Sequence, residues 1–379
     1  MASGNRPSLK TISIHGPNHN HYGYGNMNLS LQKHLPPSVV LHPHSEVAVF
    51  CLQPTLIKGW FKGQKKVLFT MWETSQLPEY FYEYLPQFDK VLVPCEHNRQ
   101  LFAAYHKDVS VCHLGVDTNV WTLCEPPTND VFRFVAGGSS WQRKGLDIVV
   151  RAFEKLNLKD AELVLKITPE IRGEPPKITN PNIKLVDSWL TVEQEYDLYA
   201  SADCFVAASR GEGFGLMPLQ TIAMGVPTIM SDMTGHSDFI DLATTAVPAP
   251  PQPAVHERLW NVGNWYETDL DALCAAMLDH YEHRGKYRQK ALEKVSGVSR
   301  FTWNKSAQKM VKLSGTGGTL TELDWVPADQ ARVEITVNRK VEADIGRHRV
   351  RLAKGETALV PIVVRDTLRD AGYLGVSNG

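Results

Sequence analysis

No stretch of this 379-residue chain stays apolar for as long as a bilayer crossing demands, so no membrane span is expected. The opening residues, MASGNRPSLKTISIHG, hold no apolar leader core. Cysteine is scarce. The six residues (Cys51, Cys95, Cys112, Cys124, Cys204, Cys274) never fall in a C-x-x-C pair. That excludes a zinc ribbon and a disulfide framework, and reads as reduced, buried thiols in a cytoplasmic setting. An excess of one charge is missing too: 40 Lys and Arg against 41 Asp and Glu leave a formal charge of -1. This argues against a general nucleic-acid binder, although a local basic patch fits within it. The length exceeds what one core supports, so two domains plus an appendage are expected.

What is present is a repeated alternation. T-I-S-I-H-G (11–16), E-V-A-V-F-C (46–51), K-V-L-F-T-M (66–71) and K-V-L-V-P-C (90–95) read as strands apolar on both faces, as parallel strands between helices are. N-M-N-L-S-L-Q-K-H-L (26–35) and E-H-N-R-Q-L-F-A-A-Y (96–105) carry helical spacing between them. C-E-P-P-T-N-D (124–130) is a break, and the pattern then restarts. Strands are expected at 132–137, 163–167, 183–187, 203–209 and 226–231, with helices over 145–156 and 192–202. Two βαβ arrays predict two facing doubly wound α/β domains, with ligands bound in the cleft at the strands' carboxyl ends. Past S-G-T-G-G-T (314–319), read as a flexible joint, 331–343 and 348–353 alternate with period two, and 363–372 suits one short helix. A small, mostly antiparallel module is expected there.

Two glycine turns stand out. S-R-G-E-G-F-G (209–215) runs from a strand into M-P-L-Q-T-I-A-M-G, where Pro218 suits a first helical turn and Gly225 the position after the end. G-G-S-S-W-Q-R-K-G (137–145) makes the same strand-to-helix passage and carries Arg143 and Lys144. Bare backbone N–H groups, a helix N-terminus, Arg210 and these two cations suit a pyrophosphate. A tight structural turn would use the same glycines, and solvated basic residues commonly open helices.

Taken together, A-S-R-G-E-G-F-G-L-M-P-L-Q-T-I-A-M-G-V-P-T-I, R-K-G-L-D upstream, V-P-C-E-H-N-R-Q-L-F…V-C-H-L-G-V-D (93–117) and F-T-W-N-K-S-A-Q-K-M (301–310) resemble a family 4-type retaining glycosyltransferase of the GT-B fold, over about residues 10–315. The resemblance implies a first domain (1–122, completed by a closing helix at 298–313) that holds the acceptor and a second (123–297) that holds a nucleotide-diphosphate sugar, with the module at 320–379 appended. It implies that Lys144 and Arg143 hold the pyrophosphate, that Glu212 contacts the donor sugar, and that Gly213, Phe214, Gly215 and Leu216 form the backbone cradle. Gly23, Tyr24 and Gly25, in H-G-P-N-H-N-H-Y-G-Y-G-N (15–26), would close over the donor phosphates. Glu73, where related enzymes often place a histidine, would accept a hydrogen bond from the acceptor hydroxyl or cap a helix. Glu73, Lys144 and Glu212 are the expected catalytic residues.

There are departures. Gln220 stands where the family has the second glutamate of its E-x7-E pair, and this loses a charge-assisted bond to the ribose. Gly138 and Ser139 stand where an arginine is usual, and Arg143 can substitute. Metal ligation is not expected. His15, His19 and His21 sit in a polar loop with no nearby carboxylate, and D-L-D (269–271) opens an amphipathic helix. No cofactor is implied beyond the donor itself. The C-terminal module resembles β-rich segments appended to phage-encoded proteins, which implies an enzyme in the host cytoplasm acting on a virion protein or modified DNA. The alternatives are a hydrolase or epimerase on the same fold, or a non-catalytic sugar-nucleotide or glycan-binding protein. Neither the acceptor nor the oligomeric state is legible.

Overall fold

The near-continuous apolar runs build the first sheet. In a computed structural model, which describes residues 10–19, 23–82, 84–172, 178–254, 262–328, 332–336, 340–345, 348–355, 357–361 and 368, they become β1 (Lys10–His15), β3 (Val47–Phe50), β5 (Lys65–Phe69) and β6 (Lys90–Val93). Two short strands unforeseen from the sequence, β2 (Val39–Leu41) and β7 (Val109–Val111), complete the order β2-β1-β3-β5-β6-β7, every pairing parallel. A separate short strand, β4 (Gly59–Phe61), lies outside it. Helices α1 (Gly23–Lys33), α2 (Glu79–Tyr82) and α3 (Glu96–Ala103) fall in the crossovers.

The second sheet holds β8 (Phe132–Ser140), β9 (Ala161–Arg172), β10 (Ile183–Asp187), β11 (Cys204–Ala207), β12 (Thr228–Asp232) and β13 (Thr245–Pro248). Their order is β10-β9-β8-β11-β12-β13, again all parallel. The chain thus runs outward from β8 to one edge, then returns to β11 and runs to the other. This puts the switch point between β8 and β11, where ligands of such sheets bind.

Helix α4 (Leu146–Leu156) buries Leu146, Val149, Val150 and Phe153 along one face, and α5 (Val192–Ala200) starts at a capping box in which Thr191 and Gln194 bond each other's backbone N–H. After α6 (Leu216–Ala223) and β13, an unforeseen hairpin pairs β14 (Pro251–Pro253) with β15 (Asn264–Tyr266). Helices α7 (Leu270–Glu282) and α8 (Arg284–Lys294) follow, and α9 (Trp303–Ser314) packs on α1 of the first sheet through buried Trp303, Ala307 and Met310. One apolar cluster, including Val49, Trp121, Phe214, Phe239, Phe301 and Trp303, runs without interruption from one sheet to the other.

Residues 314–319 are not a free joint. Thr11 N–H donates to Gly317 O (2.8 Å) and Gly317 N–H donates back (3.1 Å), while Glu46 N–H donates to Gly318 O (3.0 Å). Glycine allows this because a Cβ on Gly317 would lie 2.7 Å from Glu46 Cβ. Next, β16 (Trp325–Pro327) pairs antiparallel with β4. Beyond it, β17 (Arg332–Thr336) pairs antiparallel with β20 (Thr357–Pro361), and β18 (Val341–Ile345) with β19 (His348–Leu352), as the period-two pattern predicts. Apart from Leu368, the helix expected over 363–372 lies outside the described residues. All six cysteines are free and buried.

Candidate functional site

Both glycine turns leave neighbouring strands at the switch point. The first follows β8 and carries Arg143 and Lys144; the second follows β11 and carries Glu212. Their side chains meet. Lys144 Nζ donates to Glu212 Oε1 at 2.5 Å, Ser209 Oγ donates to the same oxygen at 2.7 Å, and Arg143 Nη1 lies 3.5 Å from Oε2 while donating to Gly211 O at 2.8 Å. Burial alone would push the Glu212 carboxyl up, but the charges of Lys144 and then Arg143 outweigh it and hold the group at about 2. Burial lowers the Lys144 ammonium below the usual lysine range, against the pull of Glu212. Glu212 is therefore a carboxylate with two basic side chains set against it in a nearly closed site.

The helix after the second turn begins at Gly215, whose φ of +115° and contact with His236 (a Cβ would come 2.7 Å from Cδ2) admit no side chain. The turn also meets the other domain. A Cβ at Gly211 would lie 2.1 Å from Glu73 O, and one at Gly213 would lie 2.5 Å from Met71 Sδ. The glycines thus serve a close interdomain approach. Phe214 contributes more than backbone. Its ring is buried against Phe239 (5.2 Å) and Phe301 (6.0 Å), and burying such a side chain stabilises the fold by about 1.5–3 kcal/mol. Leu216 opens α6, and Gln220 sits mid-helix, buried, with no side-chain hydrogen bond to a described residue.

Arg210 is not brought to this cluster. All five of its N–H groups are taken: by both oxygens of Asp147 (2.7 and 2.8 Å), both of Glu267 (2.5 and 3.0 Å) and the carbonyl of Gln142. Burial would lower the guanidinium, but the two carboxylates more than reverse that and raise it above its usual value. Arg210 pins the second turn to α4 and to the strand β15 region, with no donor left for a phosphate.

In the first domain, Glu73 follows β5, and its charge favours the ammonium of Lys144. Gly23, Tyr24 and Gly25 form the first turn of α1 rather than a loop. The Tyr24 hydroxyl bonds Thr70 Oγ1 (2.9 Å) and the backbone of Met71 (3.1 Å), which locks α1 onto the end of β5. Burial raises the Tyr24 phenol above its usual value, against the pull of these hydrogen bonds. His15 stacks on Phe50 at 5.1 Å, and His21 lies outside the described residues. Asp269 caps α7 through Ala272 N (2.8 Å) and Asp271 pairs with Lys155 (2.6 Å), as the helix reading of D-L-D predicts. No three His, Cys, Asp or Glu side chains converge as metal ligands among the described residues.

The sequence reading missed T-G-H-S-D (234–238), after β12. Thr234 Oγ1 accepts Glu212 N–H at 2.9 Å and Gly235 N–H donates to Glu212 O at 3.1 Å. His236 is fully buried, its Nδ1 at 3.1 Å from Ser231 O, and its Nε2 has no partner among the described residues. Burial lowers it to about 4, so the ring is neutral. The available signal was the strand-end rule that located the glycine turns.

Comparison with known proteins gives this geometry a context. Residues 130–259 match the sequence profile described as Glycosyl transferases group 1. A segment is 28% identical over 107 residues to Putative glycosyltransferase 41 of Sulfolobus islandicus filamentous virus, covering 28% of this chain and 29% of that protein. Another is 46% identical over 44 residues to the lipopolysaccharide core biosynthesis mannosyltransferase LpsB of Rhizobium meliloti, 12% of each chain. The matched segments thus span less than a third of either relative. In structure, the chain is similar to Alr3699/HepE of Anabaena, solved in complex with UDP and glucose, with a TM-score of 0.57, 12% identity, and coverage of 80% of this chain and 98% of that one. Residues 130–259 thus match the glycosyl transferases group 1 profile, within a chain whose two parallel-sheet domains take the GT-B glycosyltransferase fold.

Proposed function

We propose that the chain is a retaining glycosyltransferase that moves a sugar from a nucleotide-diphosphate sugar to an acceptor held by the first domain. The observation that carries this reading is the cluster of Lys144, Arg143 and Glu212 at the switch point, facing Glu73 across the cleft. As the bond between the anomeric carbon and the diphosphate oxygen breaks, negative charge grows on the leaving group. Lys144, Arg143 and the N–H groups at the start of α6 compensate it, and preorganised donors in a closed site do so with little reorganisation. The acceptor oxygen bonds the same face of that carbon, and its proton passes to the departing phosphate. Glu212 orients the sugar hydroxyls and Glu73 accepts a hydrogen bond from the acceptor. No protein nucleophile is needed. Gln220 lies where a ribose would reach α6, and its unengaged amide supplies one donor and one acceptor.

The relative from a filamentous virus favours a virus-encoded enzyme, with a virion protein, a glycan or modified DNA as acceptor. A donor screen tests the reading. Among UDP-, GDP-, ADP- and dTDP-sugars, one should raise the melting temperature by mass action and release its nucleoside diphosphate faster when an acceptor is supplied. Stabilisation without turnover under any acceptor would leave a binding protein instead, and acceptor-independent release would leave a hydrolase.

A further inference from the structure

The segment Thr234–Leu242 contacts both the second glycine turn and the first domain. Its first residues hold both backbone groups of Glu212, and Phe239 packs on Phe214 and on Phe301 (5.8 Å) ahead of α9. Asp238, in the same segment, faces the other domain with its side chain 10% exposed. Its two oxygens accept the N–H of Glu96 at 3.1 and 3.2 Å, and Oδ2 also accepts His113 Nε2–H at 2.9 Å. Glu96 opens α3, and the N-cap residue of that helix, Cys95, makes no side-chain capping bond. The cap therefore comes from the second domain. His113 is held in turn between the rings of Phe301 (5.2 Å) and Phe214 (6.1 Å).

We propose that Asp238 is a positioning residue which couples closure of the cleft to the placement of Glu212. With one carboxylate capping α3 and holding His113, and with Thr234 and Gly235 a few residues away holding Glu212, the first domain and the sugar-facing turn move as one body. When Asp238 loses its partners, the segment loses its registration against the first domain, and the turn it holds loosens with it. The kinetic test of this inference rests on the transferase reading; its hydrogen-exchange test does not.

Hydrogen exchange is measured on the full chain for wild type, Asp238→Ala and Asp238→Asn. In Asp238→Ala, exchange should rise about tenfold both in peptides covering 95–102 and in peptides covering 209–216, while α4 stays at the wild-type rate, since a lost cap removes roughly one order of magnitude of local stability. Asp238→Asn keeps an acceptor for Glu96 N–H and should show a smaller rise at both places. A rise confined to 95–102 would overturn the proposal, because Asp238 would then be a helix cap and nothing more. If Asp238→Ala fails to fold, His113→Ala removes one of the two donors and should give the same paired pattern, weaker. With whichever of UDP-glucose, GDP-mannose or ADP-glucose the wild type turns over, Asp238→Ala should lower kcat about tenfold and leave the donor KM within twofold, because Lys144 and Arg143, proposed to hold the pyrophosphate, belong to the second domain on the turn after β8, outside the segment that carries Asp238. A raised KM at unchanged kcat would also overturn it. Should no donor be turned over, the transferase reading fails, while the exchange pattern still decides the coupling.

Discussion

Replacing Lys144 by alanine strips Glu212 of its 2.5 Å partner in a site where the Glu212 side chain is 9% exposed. Removing one member of a buried pair destabilises by about 3–5 kcal/mol, because the remaining charge is left uncompensated. Here Arg143 at 3.5 Å and Ser209 at 2.7 Å stay behind, so the lower end, about 3 kcal/mol, is expected for Lys144→Ala. The Glu212 carboxyl should rise well above about 2 in this variant. The double variant Lys144→Ala/Glu212→Gln removes both charges, and its stability should return to within about 1 kcal/mol of wild type. Turnover should not return with it. Both variants should lose about two to three orders of magnitude in kcat, since the leaving group lacks its cation in each. The assay is urea unfolding at pH 7 beside release of nucleoside diphosphate. A double variant that regains activity would show that Lys144 serves only to neutralise Glu212. A double variant as unstable as the single would show that the pair is not what holds this turn.

Arg210→Lys should behave in the opposite way, losing about 3 kcal/mol of stability as Asp147 and Glu267 lose their shared fork, yet binding nucleoside diphosphate within twofold of wild type by calorimetry. A tenfold weaker diphosphate would return Arg210 to the site. Stability should also fall on acidification. His236 and His280 are buried neutral and held at about 4, below the ordinary 6.5, so the unfolded chain takes up their protons first as pH falls. Each withdraws up to about 3 kcal/mol between pH 6.5 and 4, present in full above that window, and His236→Gln should remove about half of the slope. A slope unchanged in that variant would place His236 in water. Gln220→Glu should keep or strengthen nucleoside diphosphate binding, whereas Gln220→Ala should weaken it by about 1–2 kcal/mol and Glu212→Ala should leave it nearly unchanged. The reverse ordering in calorimetry would misplace the ribose.

The sheets were legible because parallel strands buried on both faces read as apolar runs, and K-V-L-V (90–93) can hardly be anything else. The glycine turns were legible for a related reason, since Gly215 needs a backbone region closed to other residues. Short strands such as Val109–Val111 left no comparable mark, being partly exposed along their whole length. Arg210 deceived because sequence shows a cation beside glycines and cannot show Asp147 and Glu267, 63 and 57 positions away, closing on it. S-G-T-G-G-T deceived because the same absence of side chains that frees a linker lets backbone lie flush on a sheet edge. Asp238 and Thr234 were invisible for want of a pattern: their partners sit in other elements.

The path of the chain sets an order of assembly. Sheet β8–β13 is a continuous stretch whose strands come off the ribosome together, so it can close soon after β13 is made. The first sheet begins more than a hundred residues earlier but waits longer, because α1 is covered by α9, Thr11 is bonded by Gly317 and β4 by β16. Domains usually mature in the order of synthesis. In this protein the half made first is finished last: α1 stays uncovered until α9 is made, and Thr11 and β4 wait for Gly317 and β16, so truncations before residue 303 that spare the second sheet entirely would leave the first incomplete.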